Sequence, residues 1–275
     1  MSDLVRKCIL LLCLFSAGWL PAQTGLGESL LLEGRMAMAR AEQYLLAEQG
    51  AGGSWQDSLA DTAQTVMALA NAGYADSPKL QAAGTFLRSA GTAANAEVLI
   101  LACRSMLRLG QQLTVEHREV LLRLADGELS PQARQWLLEI HYLLDRQDLP
   151  LLPPAVVANQ LLLLQNPHSP AGLRLFAALC APDHDLRSPE LAAWRQEALA
   201  APVATDPDAR LWLCRALRAF AVLSGGNEDG SWRHTLTVQL LESQKHDGSW
   251  GEGSRQVLHT ALSLQALQHC LAIIE

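Results

Sequence analysis

The sequence predicts an all-α protein built as a closed ring of six helical hairpins, with an inner ring of helices sheathed by an outer ring. Three observations predict this architecture. Hydrophobic residues make up 49% of the 275-residue chain but aromatic residues only 5%, and Leu and Ala outnumber the β-branched residues that strands favour. One sequence unit recurs near both ends of the chain, and prolines recur where helices are expected to begin.

The first segment of the chain is typical of a secretory signal. Residues 1–22 carry Arg6 and Lys7, continue as an apolar run and become polar at their end. Cleavage there would leave one domain over 23–275. The alternative is an uncleaved membrane anchor, although the apolar run is shorter than the ~20 residues of a span. We therefore expect a secreted or periplasmic protein, or alternatively a membrane-anchored one.

Helical periodicity and turn residues predict twelve helices in outer and inner pairs. The outer helices keep a polar face, whereas the inner ones are apolar nearly all round. The predicted pairs are 33–49 with 58–72, 78–89 with 93–109, 114–125 with 131–146, 154–165 with 170–180, 189–200 with 207–223, and 232–244 with 255–272.

Prolines support these boundaries independently. A proline in the first helical turn loses no backbone hydrogen bond, and a Ser or Asp before it can cap the exposed amides. Five such pairs stand at predicted helix starts: Ser77-Pro78, Ser130-Pro131, Ser169-Pro170, Ser188-Pro189 and Asp206-Pro207.

The repeated unit is clearest in residues 43–70 and 232–267. In each copy a Gln at the end of an outer helix is followed by Gly-Ser-Trp, and the pairs are Gln49 with Trp55 and Gln244 with Trp250. A Gln amide there can bond exposed helix-end groups while the indole packs beside it, so we expect the turn to fasten one hairpin to the next. Matching first and last units favour ring closure over an open solenoid.

This spacing resembles the QW motif of squalene and oxidosqualene cyclases, and similar turns occur in the β subunits of protein prenyltransferases. The resemblance implies an (α/α)6 toroid, whose central cavity holds an isoprenoid chain in those families. Trp232 closes a third Gly-Ser-Trp, and Asn166-Pro167 looks like a worn copy. The middle hairpins depend on period and turn chemistry alone.

The catalytic motifs of these families are incomplete. In the D-x-D-D-T-A motif of the cyclases the middle Asp is the proton donor, and the similar segment 58–63 has Ala60 there, keeping only Asp61. Dipole stabilisation at a helix start also explains Asp61. Proton-initiated cyclisation is therefore not expected.

The prenyltransferase zinc site is also incomplete. His259-Thr260 followed by Leu264 resembles its H-T-x-x-x-L element, but no D-x-C is present and the corresponding helix begins around Asp208. His259 aligns by repeat with Gln64, so a polar residue lining the ring explains it without a metal. No metal or cofactor is predicted.

Four arginines fall near the beginnings of inner helices, where the helix dipole disfavours cations. Converging on one mouth of the ring, they would form a site for a phosphate or carboxylate headgroup. The alternative is that each pairs with an acidic neighbour on an outer helix. The four are Arg134, Arg174, Arg210 and Arg255.

Charge and cysteine usage exclude other classes. The chain carries a formal charge of −7 with scattered basic residues, so nucleic acid is not an expected partner. Cys103, Cys180, Cys214 and Cys270 lie in apolar helical patterns without C-x-x-C spacing, which is typical of structural filling rather than of a disulfide or metal site.

Two classes of function fit these observations. The first is a non-catalytic toroid that binds an apolar, isoprenoid- or lipid-like ligand or a protein partner, with a ring filled by Trp212 and Phe220 as its purely structural extreme. The second is an enzyme of isoprenoid chemistry with a substituted acid or base. Its candidate catalytic residues are Asp61, His259, His141 and Asp208.

Overall fold

The computed structural model describes residues 26–89, 95–145, 147, 149–166, 169–180, 185–200, 206–224 and 231–272, and these residues confirm an all-α fold without a β-strand. The segment predicted as a signal, 1–22, lies outside them. Twelve α-helices are present: α1 Glu28–Ala47, α2 Leu59–Leu69, α3 Pro78–Ser89, α4 Ala96–Arg108, α5 Val115–Ala125, α6 Pro131–Asp145, α7 Pro154–Leu164, α8 Ala171–Cys180, α9 Pro189–Ala200, α10 Pro207–Leu223, α11 Ser231–Ser243 and α12 Gln256–Leu271.

Side-chain caps set several helix starts where the sequence predicts them. The hydroxyls of Ser77, Ser130 and Ser188 accept hydrogen bonds from amides in the first turns of α3, α6 and α9. Asp206 accepts from the amides of Asp208 and Ala209 at the start of α10. These bonds satisfy donors that a helix start leaves without an intrahelical partner.

The chain divides into two compact units: a middle unit, Leu45–Leu164, and a terminal unit, Met1–Tyr44 with Gln165–Glu275. In the middle unit α4 packs between α2 and α6. In the terminal unit α10 packs between α8 and α12, while α9 lies on α8 and α11 on α12. The same inner series of alternate helices therefore occurs in both units.

The helices that the sequence predicts as inner differ in burial from those that it predicts as outer. Every residue from 211 to 221 in α10 and from 172 to 180 in α8 is buried. The outer helix α9, by contrast, buries only Leu191 and Ala198. An all-round apolar pattern thus marks the helices that are enclosed by others.

The enclosed helices also bury charge. Arg104 of α4 bonds Glu139 of α6, and both side chains are almost completely buried. In the terminal unit the Arg215 guanidinium lies 4.4 Å from the Trp212 ring centroid, and Trp212 is 1% exposed. Because a buried charge without a partner is very costly, these contacts are conditions for folding.

Both copies of the repeated turn have the same geometry. The indole N–H of Trp55 donates to the carbonyl of Leu45 at 2.6 Å, and that of Trp250 donates to Leu240 at 2.8 Å. These carbonyls lie in the last turns of α1 and α11, where intrahelical partners run out. The tryptophans therefore act as C-terminal caps from outside the helix.

The glutamines fasten each turn to a neighbouring outer helix. Gln49 donates to the carbonyl of Lys79 in α3 at 2.8 Å, and Gln244 donates to the carbonyl of Ala37 in α1 at 2.9 Å. Each also donates to the carbonyl of the Gly within its own turn. Each glutamine therefore links the helix before its turn to another helix, α1 to α3 through Gln49 and α11 to α1 through Gln244.

The last hairpin packs against the first helix within the terminal unit. A Cβ on Gly34 of α1 would lie 2.7 Å from the side chain of Leu271 in α12, so the two helices approach closely there. Arg40 of α1 also donates to the side-chain oxygen of Gln244 at 2.7 Å. Helix α1 is thereby connected to α12 through Leu271 and to the turn after α11 through Gln244.

One feature of the repeat differs from the sequence-based expectation. The hydroxyl that bonds the backbone amide of Trp55 belongs to Thr62, whereas Thr260 bonds that of Trp250. The equivalent of Thr260 is therefore Thr62. Trp232 is the second residue of α11, close to the start that the sequence predicts for this helix, and residues 229–230 lie outside the described part of the chain.

Gly53→Ala should destabilise the protein by about 2–4 kcal/mol. Gly53 has a φ of 83°, and a Cβ there would lie 2.7 Å from the carbonyl carbon of Ala82 in α3. Urea unfolding followed by circular dichroism would measure the loss in free energy of unfolding.

Gly52→Ala is the matched control, since nothing lies within 4 Å of a Cβ at that position. We expect its free energy of unfolding to stay within about 0.5 kcal/mol of the wild-type value. Equal losses in the two variants would contradict a close approach of α3 to this turn.

Candidate functional site

A surface groove in the middle unit brings charged, amide and apolar side chains together. Its volume is about 410 Å3, and it lies where the end of α5, the start of α6 and one face of α7 meet. It is lined by Ala125, Asp126, Gly127, Glu128, Arg134, Ala155, Val156, Asn159, Gln160 and Leu163. The volume is in the range of pockets that bind small molecules.

Arg134 is the cation of this groove, and its guanidinium is held in place. It donates to the side-chain oxygen of Gln160 at 2.8 Å and to the carbonyls of Leu129 at 3.1 Å and Gly127 at 3.4 Å. A guanidinium carries five N–H donors, so two remain for a ligand. Burial lowers the pKa of Arg134, and the nearby carboxylate of Glu128 raises it.

Gln160 is the second fixed polar group. It is 1% exposed, and its amide nitrogen donates to the carbonyl of Ala125 at 2.7 Å at the end of α5. Its oxygen therefore has to face Arg134. The Arg134–Gln160 pair is preorganised by three elements of the fold, which lowers the entropic cost of binding a ligand.

Apolar side chains form part of the groove wall beside this pair. Residues 155, 156, 159, 160 and 163 lie on one face of α7 because they are spaced three and four apart. Leu163 is among the large apolar side chains that stay exposed in the described part of the chain. The lining is mixed, because charged and amide side chains share it with Ala155, Val156 and Leu163.

A second group of chemistry-bearing residues lies in the terminal unit, at the starts of α10 and α12. Burial, and after it the neighbouring carboxylate of Asp206, raise the pKa of Asp208 to about 6. The pKa of His259 is lowered, chiefly by burial and also by Arg255, while Asp206 opposes both effects. An acid and a base with shifted pKa values thus share Asp206 as a neighbour.

The corrected register gives Asp61 a counterpart in this group. Since Thr62 and Thr260 are equivalent, Asp61 and His259 are equivalent as well, and each directly precedes the threonine. Burial raises the pKa of Asp61, and a hydrogen bond with Ser58 lowers it. The sequence-based alignment of His259 with Gln64 is therefore wrong by three residues, about one turn of helix.

His141 has a structural role in the middle unit. It is 8% exposed, and its Nδ1 accepts a hydrogen bond from the backbone amide of Leu152 at 3.1 Å. The bond fastens the connection between α6 and α7, so this candidate base is engaged in the fold.

The other predicted arginines have different surroundings. Arg174 is buried and pairs with Glu197 of α9, which is the outer-helix pairing that the sequence left as the alternative. Burial lowers the pKa of Arg210, although Cys214, Cys270 and Asp206 lie close enough to raise it. Arg255 is exposed. Convergence of all four on one mouth stays a prediction.

Sequence reasoning missed Gln160 and the buried Arg104–Glu139 pair. The signal available for Gln160 was a single amide within the apolar run of α7. For Arg104 it was a charge inside a helix that is otherwise apolar. In both helices the polar residues are too few for hydrophobic periodicity to predict which way a single polar side chain points.

Comparison with known proteins gives no matching family model, no matching curated protein and no matching solved structure. Within the described part of the chain, no helix has the length and apolar character needed to cross a membrane. In that same part, no three His, Cys, Asp or Glu side chains group closely enough to hold a metal ion.

Asp208→Asn should make the protein more stable at pH 7.5 by about 1–2 kcal/mol while leaving its stability at pH 4 unchanged. The folded protein raises the pKa of Asp208 from 3.8 to about 6 and so holds the proton more tightly than the unfolded chain. The wild type therefore loses stability as the pH rises from about 4 to about 6, and the amide removes that loss. Solvent contact of the partly exposed side chain screens part of this effect.

Urea unfolding of both proteins at the two pH values would measure the difference. Glu242→Gln, at an exposed site in α11, serves as the control for a generic change in net charge. A stability gain that is the same at pH 4 and pH 7.5 would contradict a raised pKa of Asp208.

Proposed function

We propose that this chain is a non-catalytic binding protein of the terpenoid cyclase and prenyltransferase type, and that the groove beside α7 takes an apolar chain with one anionic or hydrogen-bond-accepting headgroup. The observation that carries this proposal is Arg134, fixed by Gln160 in a groove of about 410 Å3 whose wall is partly formed by Ala155, Val156 and Leu163. Specificity would come from the few fixed polar groups and affinity from apolar burial.

The headgroup chemistry follows from the charges around the groove. Two N–H groups of Arg134 are positioned for an acceptor, and a carboxylate would gain a charge-assisted bond. Asp126 and Glu128 also line the groove, but both are exposed. Water and salt therefore screen their repulsion of an anion more than they screen the half-buried guanidinium.

The absence of catalysis is supported by the residues of the inner helices. Ala60 stands where the cyclase motif has its proton donor, and the inner helices enclose ion pairs and the Trp212–Arg215 stack. Side chains packed in this way leave less room for an isoprenoid chain between the helices. An outer groove then becomes the more accessible place for a ligand.

We also propose that the twelve helices close into an (α/α)6 toroid. Support comes from the terminal unit, where Gln244 bonds the carbonyl of Ala37 and α1 packs on α12, so the last hairpin meets the first helix. Further support comes from the alternation of enclosed and exposed helices in both units. An export signal at 1–22 and a secreted or periplasmic location stay part of this proposal.

Arg134→Gln should weaken the binding of dodecanoate by about tenfold while leaving dodecanol binding nearly unchanged. The two probes share an apolar chain and differ in the headgroup, so their difference isolates the bond to the guanidinium. Isothermal titration calorimetry on the full chain would measure both dissociation constants.

Arg123→Gln is the matched control, because Arg123 is an exposed arginine of α5 that does not line the groove. We expect it to bind both probes like the wild type. Equal weakening of both probes in Arg134→Gln would show that the residue only maintains the groove. Absence of binding of either probe to the wild type would overturn the proposal.

An enzyme of isoprenoid chemistry is the second candidate function, favoured by the shifted pKa values of Asp208 and His259 beside Asp206. Incubation with farnesyl diphosphate, followed by mass spectrometry of the products, separates the two functions. We expect no turnover. Turnover that is lost in both Asp208→Asn and His259→Gln but kept in Arg123→Gln would establish the enzyme instead.

A further inference from the structure

Two buried cysteines of the terminal unit meet between inner helices. Cys214 of α10 and Cys270 of α12 have their Sγ atoms 3.5 Å apart, and both residues are 0% exposed. They are 56 positions apart in the chain, and α10 packs directly against α12. The contact therefore results from the tertiary fold and not from local sequence.

The separation is that of two thiols in van der Waals contact, with no other atom between them. A disulfide bond is about 2.05 Å long. Closing the remaining distance requires small rotations of the two side chains, because the sulfurs already face each other across one helix interface. Neither helix carries a proline within the contacting segments that would force a different backbone path.

Two guanidinium groups near the pair act in favour of the thiolate, which is the form that disulfide formation needs. The guanidinium of Arg210 opposes the rise in the pKa of Cys214, and Arg233 lies close enough to Cys270 to interact with it electrostatically. Arg233 is itself fixed, since its Nε donates to the carbonyl of Cys270 at 2.7 Å. A nearby cation stabilises the thiolate, which is the attacking species in disulfide exchange.

Burial acts in the opposite direction once the protein is folded. The hydrogen bond with Cys270, followed by burial, holds the pKa of Cys214 well above its ordinary value. The folded thiols are therefore inert towards oxidants in bulk solvent. Oxidation has to take place while α12 is docking, or when it opens transiently.

We propose that Cys214 and Cys270 form a disulfide that locks α12 onto α10 when the chain folds in the presence of a disulfide donor. The thiolate of one cysteine attacks a sulfur of the donor and releases one donor thiol. The other cysteine then attacks the mixed disulfide and releases the second donor thiol. The two protein thiols lose two hydrogens, the donor disulfide gains them, and one bond joins the two helices.

The bond would close a covalent loop from Cys214 to Cys270, which contains the end of α10, all of α11 and most of α12. Because the unfolded chain loses conformational freedom when such a loop is closed, the folded state gains stability. The loop ends on the helix that carries His259 and that packs on α1 through Leu271. Oxidation would thus secure the contact between the last hairpin and the first helix.

The test is to refold the full chain from denaturant with reduced and oxidised glutathione, block remaining thiols with iodoacetamide and digest with trypsin. We expect a linked pair of peptides, 211–215 with 256–275, that separates on reduction. The refolded protein should also melt about 10 °C higher than the same protein refolded with dithiothreitol.

Three variants make the test specific. Cys214→Ala and Cys270→Ala should each lose the linked peptides and the dependence of melting temperature on the refolding conditions. Cys103→Ala, at a buried cysteine of α4 in the other unit, should keep both. Full alkylation of Cys214 and Cys270 after oxidative refolding, or linkage of either one to another cysteine, would overturn the proposal.

Discussion

The fold depends on hydrogen bonds to the carbonyls at the C-terminal ends of helices such as α1 and α11. A helix leaves its last four carbonyls without intrahelical donors, and in water-poor surroundings that omission is costly. In α1 and α11 an indole N–H from the following turn takes one such carbonyl, while the Gln amide bonds to a carbonyl of the next outer helix. The same few side-chain atoms therefore provide partners for the carbonyls at a helix end and connect that helix to another one.

That constraint explains why the repeat persists at the two ends of the chain. The turn after α11 bonds α1, so the last hairpin depends on the first helix for a partner to Gln244. Between the ends, side-chain contacts join neighbouring enclosed helices without the Gln and Trp of the turn. Arg104 of α4 pairs with Glu139 of α6, and the guanidinium of Arg215 in α10 lies 5.3 Å from the ring centroid of Phe176 in α8.

The helices could be predicted from the sequence because their boundaries are local. Ser77-Pro78 and Ser130-Pro131 fix helix starts through bonds within one turn, and the structure places α3 and α6 there. The register of the last repeat could not be predicted, because an extra 3-10 turn at Gly253–Arg255 moves Thr260 by three positions. The Arg134–Gln160 pair was also inaccessible, since it depends on how α7 packs against the ends of two other helices.

The corrected register bears on where function can reside. Asp61 and His259 occupy equivalent positions on α2 and α12, each at the start of an enclosed helix, and burial works against the charged form of both. One is an acid and the other a base, so the two copies of the repeat carry different chemistry at this position. The two copies share the neighbouring threonine, whose hydroxyl bonds the backbone amide of the Trp in its own turn. Arg134, by contrast, is held by Gln160 of α7 and by two carbonyls of the connection between α5 and α6, and it keeps donors available to a ligand, which is the arrangement expected of a binding residue.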